Sequence, residues 1–324
     1  MMAVDGRLIE ENIRERRFEV DHNFDGWRLD KFLANRIDGM SRSLAGRVAK
    51  GGDVEVIPRR KIKAGTRLRN EDLVILREEL PPEVVQDDEV SILYEDEAML
   101  VLYKPAGMLV HETATVRLNT ITHYLERQGF DEAEPVHRLD RETSGALVCA
   151  REHQFAAPLC ELFAGDDPHK VYRALVVDPS GKWSPGQTMK IDIPLGFDDD
   201  SDLPHKVWRG ELEAQTRVEA LGRRQGEAGE LADLKVTIET GRQHQIRVHL
   251  AMQDTPVAGD KLYEMGDEFF KNICDHPEDE MLLSKLRLPR QALHAWKISI
   301  THPLKEHRIE VQAPLPQIWS AKLP

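Results

Sequence analysis

Residues 136–145 place a carboxylate among positive charges. Asp140 stands between Arg138 and Arg141, and a Thr-Ser-Gly turn leads from it into an apolar strand predicted at residues 146–150. An aspartate in a loop is most often a cap or turn residue. A carboxylate beside guanidinium groups tends to remain ionised, which suits a nucleophile better than a general acid. Asp140 is therefore a candidate nucleophile.

Two further segments combine polar side chains with regular spacing. In residues 169–176, Tyr172 shares one face of a predicted strand with Ala174 and Val176, a position typical of a core tyrosine. In residues 240–249, a glycine lets the chain leave a strand. A helix then presents His244 and Arg247 three residues apart, on adjacent positions of one face.

The residue patterns favour neither a metal nor a nucleotide cofactor. His244 and His249 lie five residues apart, not four, and lack the glutamate of the metalloprotease pattern. The sequence has no Walker loop, and no Gly-x-Gly-x-x-Gly stretch follows a predicted strand. The three cysteines show no Cys-x-x-Cys spacing, which argues against a cysteine zinc site and a disulfide scaffold and favours a reducing compartment.

The elements that must position these side chains follow from hydrophobic periodicity. Alternating or β-branched runs predict strands at residues 90–93, 99–103, 146–150, 171–177, 234–239, 297–301 and 308–311. Helical spacing predicts helices at residues 119–128, 153–163 and 243–252. Because strands and helices do not alternate one for one, the predicted fold class is α+β rather than a doubly wound parallel sheet.

Composition indicates a folded, water-soluble chain. Of its 324 residues, 40% are apolar and 31% are charged, and that length favours two domains. No apolar run approaches the ~20 residues that a membrane-spanning helix needs. The N-terminus does not resemble a signal peptide, so we expect a cytoplasmic protein.

The net charge of −13 argues against a nucleic-acid binder only when it is taken over the whole chain. Residues 26–70 contain twelve Lys or Arg against four Asp or Glu, a local charge of +8, which leaves −21 elsewhere. Apolar spacing there predicts two short helices, the second capped by Ser41 and ended by Gly51 and Gly52, followed by a small hairpin. A basic helix and loop can bind phosphates. A solvated basic surface is the simpler alternative.

This basic region resembles a known RNA-binding domain. The segments Arg28-Leu-Asp-Lys-Phe-Leu33, Ser41-Arg-Ser-Leu44 and Gly52-Asp-Val-Glu-Val56 are similar to the small domain shared with ribosomal protein S-four, the alpha-L fold. Ile-Pro-Arg-Arg replaces the usual Asn-Gly turn at residues 57–60. The resemblance implies RNA contacts from Arg28, Arg42, Arg47, Lys50, Arg59 and Arg60. The predicted domains are an N-terminal extension at 1–17, this RNA-binding domain at 18–80, a linker at 81–89 and a catalytic domain at 90–324.

The polar segments of the larger domain, taken in order, resemble the RluA-type pseudouridine synthase family. The most specific blocks are His-Arg-Leu-Asp, ending at Asp140, and Gly-Arg-Gln-His-Gln-Ile-Arg, ending at Arg247. Further matches are Tyr103-Lys-Pro-Ala-Gly-Met-Leu-Val-His111, Val257-Ala-Gly-Asp-Lys-Leu-Tyr263, Leu293-His-Ala295 and Ala313-Pro-Leu-Pro316. The sequence departs from the family after His111, where a glycine-rich stretch is missing, and in the acidic residues 198–202. The resemblance implies the pseudouridine synthase fold, with a mixed, mostly antiparallel central sheet and an active-site cleft.

The same resemblance implies a reaction and roles for the residues. Pseudouridine formation breaks the N1–C1′ bond of a uridine and joins C5 to C1′, so no cofactor is needed. Asp140 would act as a nucleophile at C1′ or as a base at C2′, Arg247 would pair with it, and Tyr172 would stack on the base. The expected substrate-binding residues are Arg138, which would fill the space left by a flipped uridine, together with Arg242 and His244.

Several alternatives remain open at the level of sequence. The RNA-binding domain favours large-subunit ribosomal RNA as the target, with transfer RNA as the alternative. A non-catalytic RNA-binding assembly factor would keep the fold, and an N-glycosidase would hydrolyse the bond instead of isomerising the nucleotide. We expect a monomer that binds neither a metal nor a membrane.

Overall fold

The computed structural model describes residues 7–9, 12–37, 40–113, 115–165, 167–203, 205–226, 229–305 and 307–320. The chain divides into a small unit, Leu8–Glu83, and a large unit that contains Val84–Pro324. The domain limits inferred from the sequence stay predictions. Among the described residues, no helix combines the length and apolar character needed to cross a membrane.

The small unit packs two helices on a three-stranded antiparallel sheet. In chain order the elements in this unit and at its edges are β1 (Arg7–Ile9), β2 (Ile13–Glu19), α1 (Leu29–Arg36), α2 (Arg42–Gly51), β3 (Val54–Ile57), β4 (Leu73–Glu79) and β5 (Glu83–Val85), of which β5 belongs mostly to the large unit. The sheet order is β2-β4-β3. Leu29, Phe32 and Leu33 of α1 lie in the core with Val74 and Leu76 of β4.

The predicted boundaries of α2 are confirmed. The backbone N–H of Leu44 donates to Ser41 Oγ at 3.2 Å, which satisfies one of the free donors of the first turn. At the other end, Gly52 takes the left-handed conformation with φ 99°, which glycine adopts without steric cost. Strand β2 was not anticipated, because its sequence is dominated by charged residues.

Most strands of the large unit form one ten-stranded sheet. Its strands are β6 (Ser91–Glu95), β7 (Met99–Lys104), β8 (Glu134–Pro135), β9 (Ser144–Ala150), β10 (His169–Val177), β11 (Thr188–Asp192), β12 (Leu195–Phe197), β13 (Val207–Arg209), β14 (Gln215–Gly226), β15 (Gly229–Ile238), β16 (Leu293–Thr301) and β17 (Arg308–Gln312). Its helices are α3 (Ile121–Arg127), α4 (His153–Ala164), α5 (Gln245–Ala251), α6 (Asp267–Asp275) and α7 (Glu280–Leu283).

The strand order explains how distant segments meet. It runs β11-β14-β15-β10-β16-β9-β7-β6, with β17 paired to β16 and β8 to β9. The β16–β9 pair is parallel and the other pairs are antiparallel. β12 and β13 form a separate antiparallel hairpin. The predicted α+β class with a mixed, mostly antiparallel sheet is therefore confirmed, and each strand and helix predicted in this unit is present with shifted ends.

Candidate active site

A cavity of about 360 Å³ opens in the large unit where the middle of the sheet meets the start of α5. It collects side chains from segments far apart in the sequence. The six residues singled out for chemistry or substrate binding in this unit all line it: Arg138, Asp140, Tyr172, Arg242, His244 and Arg247. The sheet order brings them together, because β10 lies between the strand that precedes α5 and the strand that pairs with β9.

Asp140 lies in the loop between β8 and β9. Its Oδ2 accepts a hydrogen bond from Arg247 Nη1 at 2.9 Å, and 23% of its side chain is exposed. Burial by itself raises the pKa of Asp140, but the charge and hydrogen bond of Arg247 outweigh it and hold that pKa below its ordinary value. The site therefore presents an ionised carboxylate to the cavity.

Arg247 is held between two carboxylates. Asp260 receives Nε at 2.6 Å and Nη2 at 2.9 Å, which leaves Nη1 for Asp140. Asp260 is fully buried and its Oδ1 also accepts the backbone N–H groups of Leu262 and Tyr263. A bidentate pair of this kind fixes the plane of a guanidinium. Asp260 lies in the matching segment Val257–Tyr263, but nothing in the sequence around it indicates this role.

Lys104 binds the backbone of the loop that carries Asp140. The fully buried Lys104 Nζ donates to the carbonyl oxygens of Pro105, Met108 and Arg141 at 2.8, 2.7 and 3.1 Å. Burial lowers the pKa of Lys104 to about 7. Because Arg141 follows Asp140 directly, this contact fixes the backbone next to the candidate nucleophile.

Gly145 allows a close approach between the backbones of β9 and β16. It has φ 119°, and a Cβ at this position would lie 2.1 Å from the carbonyl oxygen of Ala295 on the parallel strand β16. No side chain fits in that gap. A glycine at this position is therefore required for β9 to pair with β16.

Tyr172 lies in the middle of β10, opposite Val236 and Ala295. Its side chain is buried yet borders the cavity. Burial, and then the charge of Asp140, raise the pKa of Tyr172, so the phenol stays protonated at neutral pH. Tyr172 therefore occupies the core position expected from its strand, and its side chain also borders the cavity.

His244 begins α5 in a left-handed conformation with φ 55°. Its Nδ1 lies 3.0 Å from the hydroxyl of Tyr263. Burial, and then the charge of Arg247, lower the pKa of His244 to about 4, so the imidazole is neutral at physiological pH. Arg138 and Arg242 are exposed at the rim, where Arg242 Nε donates to Glu213 O at 2.9 Å.

The six residues expected to bind RNA lie in the small unit, and their charges are not equally available. Four of them have acidic neighbours: Arg28 and Arg42 face Asp30, Arg59 pairs with Glu55, and Arg60 pairs with the buried Asp72. Arg47 and Lys50 are exposed on α2, and neither forms an ion pair within the described ranges.

A metal centre finds no support in the part of the chain that the structure describes, where no three His, Cys, Asp or Glu side chains cluster in a way that could hold an ion. The contacts of His249 give it a structural role, which accounts for a histidine at this spacing from His244. His249 Nδ1 lies 2.8 Å from Thr216 Oγ1, and its Nε2 lies 2.9 Å from Ile193 O. Both ring nitrogens are used in contacts that hold α5 against β14 and the segment after β11.

Comparisons with known proteins show the family to which the chain belongs. Residues 98–252 match the family described as RNA pseudouridylate synthase. Ribosomal large subunit pseudouridine synthase D of Xanthomonas campestris is 32% identical over 313 residues, which cover 93% of this chain and 89% of that protein. The enzyme of the same name from Pseudomonas aeruginosa is 31% identical and covers 95% of both chains. Ribosomal large subunit pseudouridine synthase C of Vibrio parahaemolyticus is 30% identical and covers 92% of both.

Solved structures support the fold. Human RNA pseudouridylate synthase domain containing 1 matches with a TM-score of 0.56 and 24% identity, over 74% of this chain and 89% of that one. Human RNA pseudouridylate synthase domain containing 4 matches with a TM-score of 0.51 and 23% identity, over 71% of this chain and 90% of that one. The large unit thus has the pseudouridine synthase fold. The chain belongs to the RNA pseudouridylate synthase family, in the RluA group that its motifs indicated, and the predicted enzyme class is confirmed.

Proposed function

We propose that this chain converts specific uridines of large-subunit ribosomal RNA into pseudouridine, with Asp140 as the carboxylate that acts on the ribose. The observation that carries the proposal is the state of Asp140. It is ionised, it opens on the cavity, and only Oδ2 is used by Arg247, while Oδ1 has no hydrogen-bond partner among the described residues. A carboxylate with one oxygen fixed and the other free is oriented for attack.

The reaction balances without an external reactant. Asp140 Oδ1 attacks C1′, the N1–C1′ bond breaks, and its electron pair leaves on uracil N1. The detached uracil turns, C5 bonds to C1′, and the carboxylate leaves C1′ with the electrons of the ester bond. Loss of the C5 proton then restores the aromatic ring, and a proton from solvent completes N1. In the alternative route Asp140 takes the C2′ proton and a glycal forms, and both routes need the same ionised oxygen.

The other lining residues have roles that follow from their positions. Tyr172 provides an aromatic face beside Asp140, where it stacks on the uracil and lies near the C5 proton. Arg138 is exposed and next but one to Asp140, so it can enter the helix from which the uridine has flipped. Arg242 contributes positive charge at the rim for the backbone phosphates.

Two observations support large-subunit ribosomal RNA as the substrate. The curated relatives that cover most of the chain are named ribosomal large subunit pseudouridine synthases. The small unit has exposed basic residues on α2, as an RNA-binding domain of the ribosomal S-four type requires. We take residues 18–80 as this domain and residues 90–324 as the catalytic domain.

Mapping tests the target directly. Pseudouridines are mapped in ribosomal and transfer RNA from cells with and without the gene, and the purified enzyme is then added to RNA from the deficient cells. We expect pseudouridine to disappear from one or more sites in large-subunit ribosomal RNA and to return on addition of the enzyme. Loss confined to transfer RNA, or no loss at all, would contradict the proposed target.

Salt dependence tests the basic surface. Removing one lysine or arginine that neutralises a phosphate reduces the slope of log K against log salt by roughly 1. We therefore expect Arg47→Ala with Lys50→Ala to reduce the slope by about 2 in filter binding to ribosomal RNA. Arg60→Ala is a matched control, because Arg60 pairs with Asp72, and it should change the slope little. An unchanged slope in the double variant would show that α2 does not contact phosphate.

A further inference from the structure

The hydroxyl of Tyr263 connects the active-site cavity to the hairpin formed by β12 and β13. It lies 3.0 Å from His244 Nδ1, 3.2 Å from the backbone nitrogen of Val207 and 3.1 Å from the carbonyl oxygen of Val207. A phenol has one proton to donate, and its oxygen can accept two hydrogen bonds. The hydroxyl therefore offers one donor and two acceptor positions to three neighbours. How these positions are shared decides which nitrogen of His244 carries a proton.

The hairpin ladder shows what Val207 needs. Gly210 N donates to Pro194 O, and Asp198 N donates to Lys206 O. Hydrogen-bonded pairs alternate along an antiparallel ladder, so the pair Phe197–Val207 is a non-bonded one. The N–H and the C=O of Val207 then point away from β12 and toward Tyr263. Because Val207 is buried, both groups must find partners.

This requirement fixes the tautomer of His244. Val207 C=O can only accept, so the Tyr263 proton goes to it, and Val207 N–H fills one acceptor position of the hydroxyl. The remaining contact is satisfied if His244 carries its proton on Nδ1 and donates it to the Tyr263 oxygen. Any other arrangement loses one of the three hydrogen bonds. The pKa of His244, about 4, keeps the ring neutral.

The other ring nitrogen is then a free acceptor. With the proton on Nδ1, His244 Nε2 has a lone pair, and it has no hydrogen-bond partner in the described ranges. The imidazole lines the cavity, and its Nε2 is not sealed off from solvent. A substrate in the cavity can therefore donate a hydrogen bond to it.

Within an RNA strand, a uridine has two such donors, the N3–H of the base and the 2′-hydroxyl of the ribose. Asp140 acts at the ribose in the function proposed above, on which this step rests. His244 is close enough to Asp140 that a charge on either group shifts the pKa of the other. The carbon that bears the 2′-hydroxyl is bonded to C1′, so this hydroxyl is the donor nearer to the carbon on which Asp140 acts.

We propose that His244 Nε2 accepts a hydrogen bond from the 2′-hydroxyl of the target uridine. The contact makes His244 the residue that distinguishes ribose from deoxyribose at the reacting nucleotide. It also orients C1′ toward the free oxygen of Asp140, with Tyr263 and the β12–β13 hairpin holding the imidazole in the required tautomer.

The test compares single-turnover release of tritium from uridine C5 for three oligonucleotides based on the mapped ribosomal site. The target is uridine, 2′-deoxyuridine or 3-methyluridine. We expect the wild-type enzyme to act roughly tenfold more slowly on the deoxy substrate, the effect of removing one hydrogen bond. In His244→Asn the uridine and deoxyuridine rates should differ by less than about twofold. Asparagine tolerates the left-handed backbone.

Control variants separate this role from a structural one. His205→Asn makes the same change at an exposed histidine, also left-handed with φ 68°, and should retain the tenfold deoxy penalty. Tyr263→Phe keeps the ring but loses the hydroxyl that holds the imidazole and both backbone groups of Val207. It should fold with lower stability and reduce the penalty, because the imidazole is no longer held in place, and it provides the result if His244→Asn fails to fold.

The outcomes are distinct. A deoxy penalty that is unchanged in both His244→Asn and Tyr263→Phe would overturn the proposal. A 3-methyl penalty that disappears in His244→Asn, while the deoxy penalty persists, would assign His244 to the base and also overturn it. If the wild-type enzyme releases no tritium from the uridine substrate, the proposed function itself fails.

Discussion

Asp260 should determine the turnover of this enzyme without contacting the substrate. It binds Arg247 through two charged hydrogen bonds, and its Oδ1 also accepts two backbone N–H groups. In Asp260→Asn the amide oxygen can keep the Oδ1 contacts. The amide nitrogen then faces Arg247 Nε at 2.6 Å, where two donors meet. The guanidinium of Arg247 loses its fixed contact on the side away from Asp140. It can therefore rotate toward Asp140.

The size of the effect follows from these contacts. Removing one partner of a buried ion pair costs about 3–5 kcal/mol, and Asp140 still balances part of the charge, so we expect a loss of about 3 kcal/mol in the free energy of unfolding. A displacement of about 1 Å in a catalytic group reduces the rate roughly 100-fold. We therefore expect kcat to fall about 100-fold while KM changes less than about threefold.

Tritium release at varied RNA concentration measures kcat and KM, and urea unfolding measures stability. Asp233→Asn is the matched control, because Asp233 is also buried and pairs with Arg173 and Arg224, outside the cavity lining. It should lose similar stability and keep its kcat. If both variants lose stability and both keep kcat, Asp260 has a purely structural role and our account of Arg247 is wrong.

Three further predictions concern the surroundings of Asp140. Lys104→Met should lower the free energy of unfolding by about 3 kcal/mol or more, because three carbonyls lose their donor; an unchanged urea midpoint would contradict this. Gly145→Ala should prevent folding, since its Cβ would meet a backbone oxygen at 2.1 Å; a native circular dichroism spectrum would refute it. Between about pH 5 and 6, below the pKa of Lys104 of about 7, kcat should stay flat, because Asp140 remains ionised and His244, with its pKa of about 4, neutral; a severalfold change of kcat within this range would contradict these protonation states.

The residues that the sequence identifies best are those in short blocks of distinctive composition. Asp140 and Arg247 each belong to a polar run that directly adjoins an apolar strand or helix, and the order and spacing of these runs give the resemblance that assigns their roles. Tyr172 is weaker on its own, because a tyrosine on a buried strand is usually core. Its assignment to the site depends on the sheet order, which places β10 between β15, the strand before α5, and β16, the strand that pairs with β9.

The features that sequence reasoning missed depend on contacts or on mixed composition. Asp260 is one acid among many until the fold places it against Arg247. Strand β14 begins with buried Thr216, Val218 and Ala220 in alternation, a period that could have been recognised, but glycine and charged residues obscure its second half. Strand β2 is highly charged and owes its conformation to pairing with β4.

The charge count shows the same limit in the small unit. A local surplus of positive charge was visible in the sequence, but which charges remain available was not. Arg60 is close in sequence to other basic residues, yet it is engaged by Asp72, which lies outside residues 26–70. Only the folded structure shows that Arg47 and Lys50 are exposed on α2 and have no acidic partner among the described residues.

The central claim is that Asp140 acts on the ribose, and one substitution tests it most directly. Asp140→Asn keeps the size of the side chain and an oxygen for Arg247, so the protein should fold and bind ribosomal RNA. We expect no release of tritium from RNA labelled at uridine C5 above the rate without enzyme. Release by Asp140→Asn at a rate comparable to that of the wild-type enzyme would contradict the assignment of Asp140.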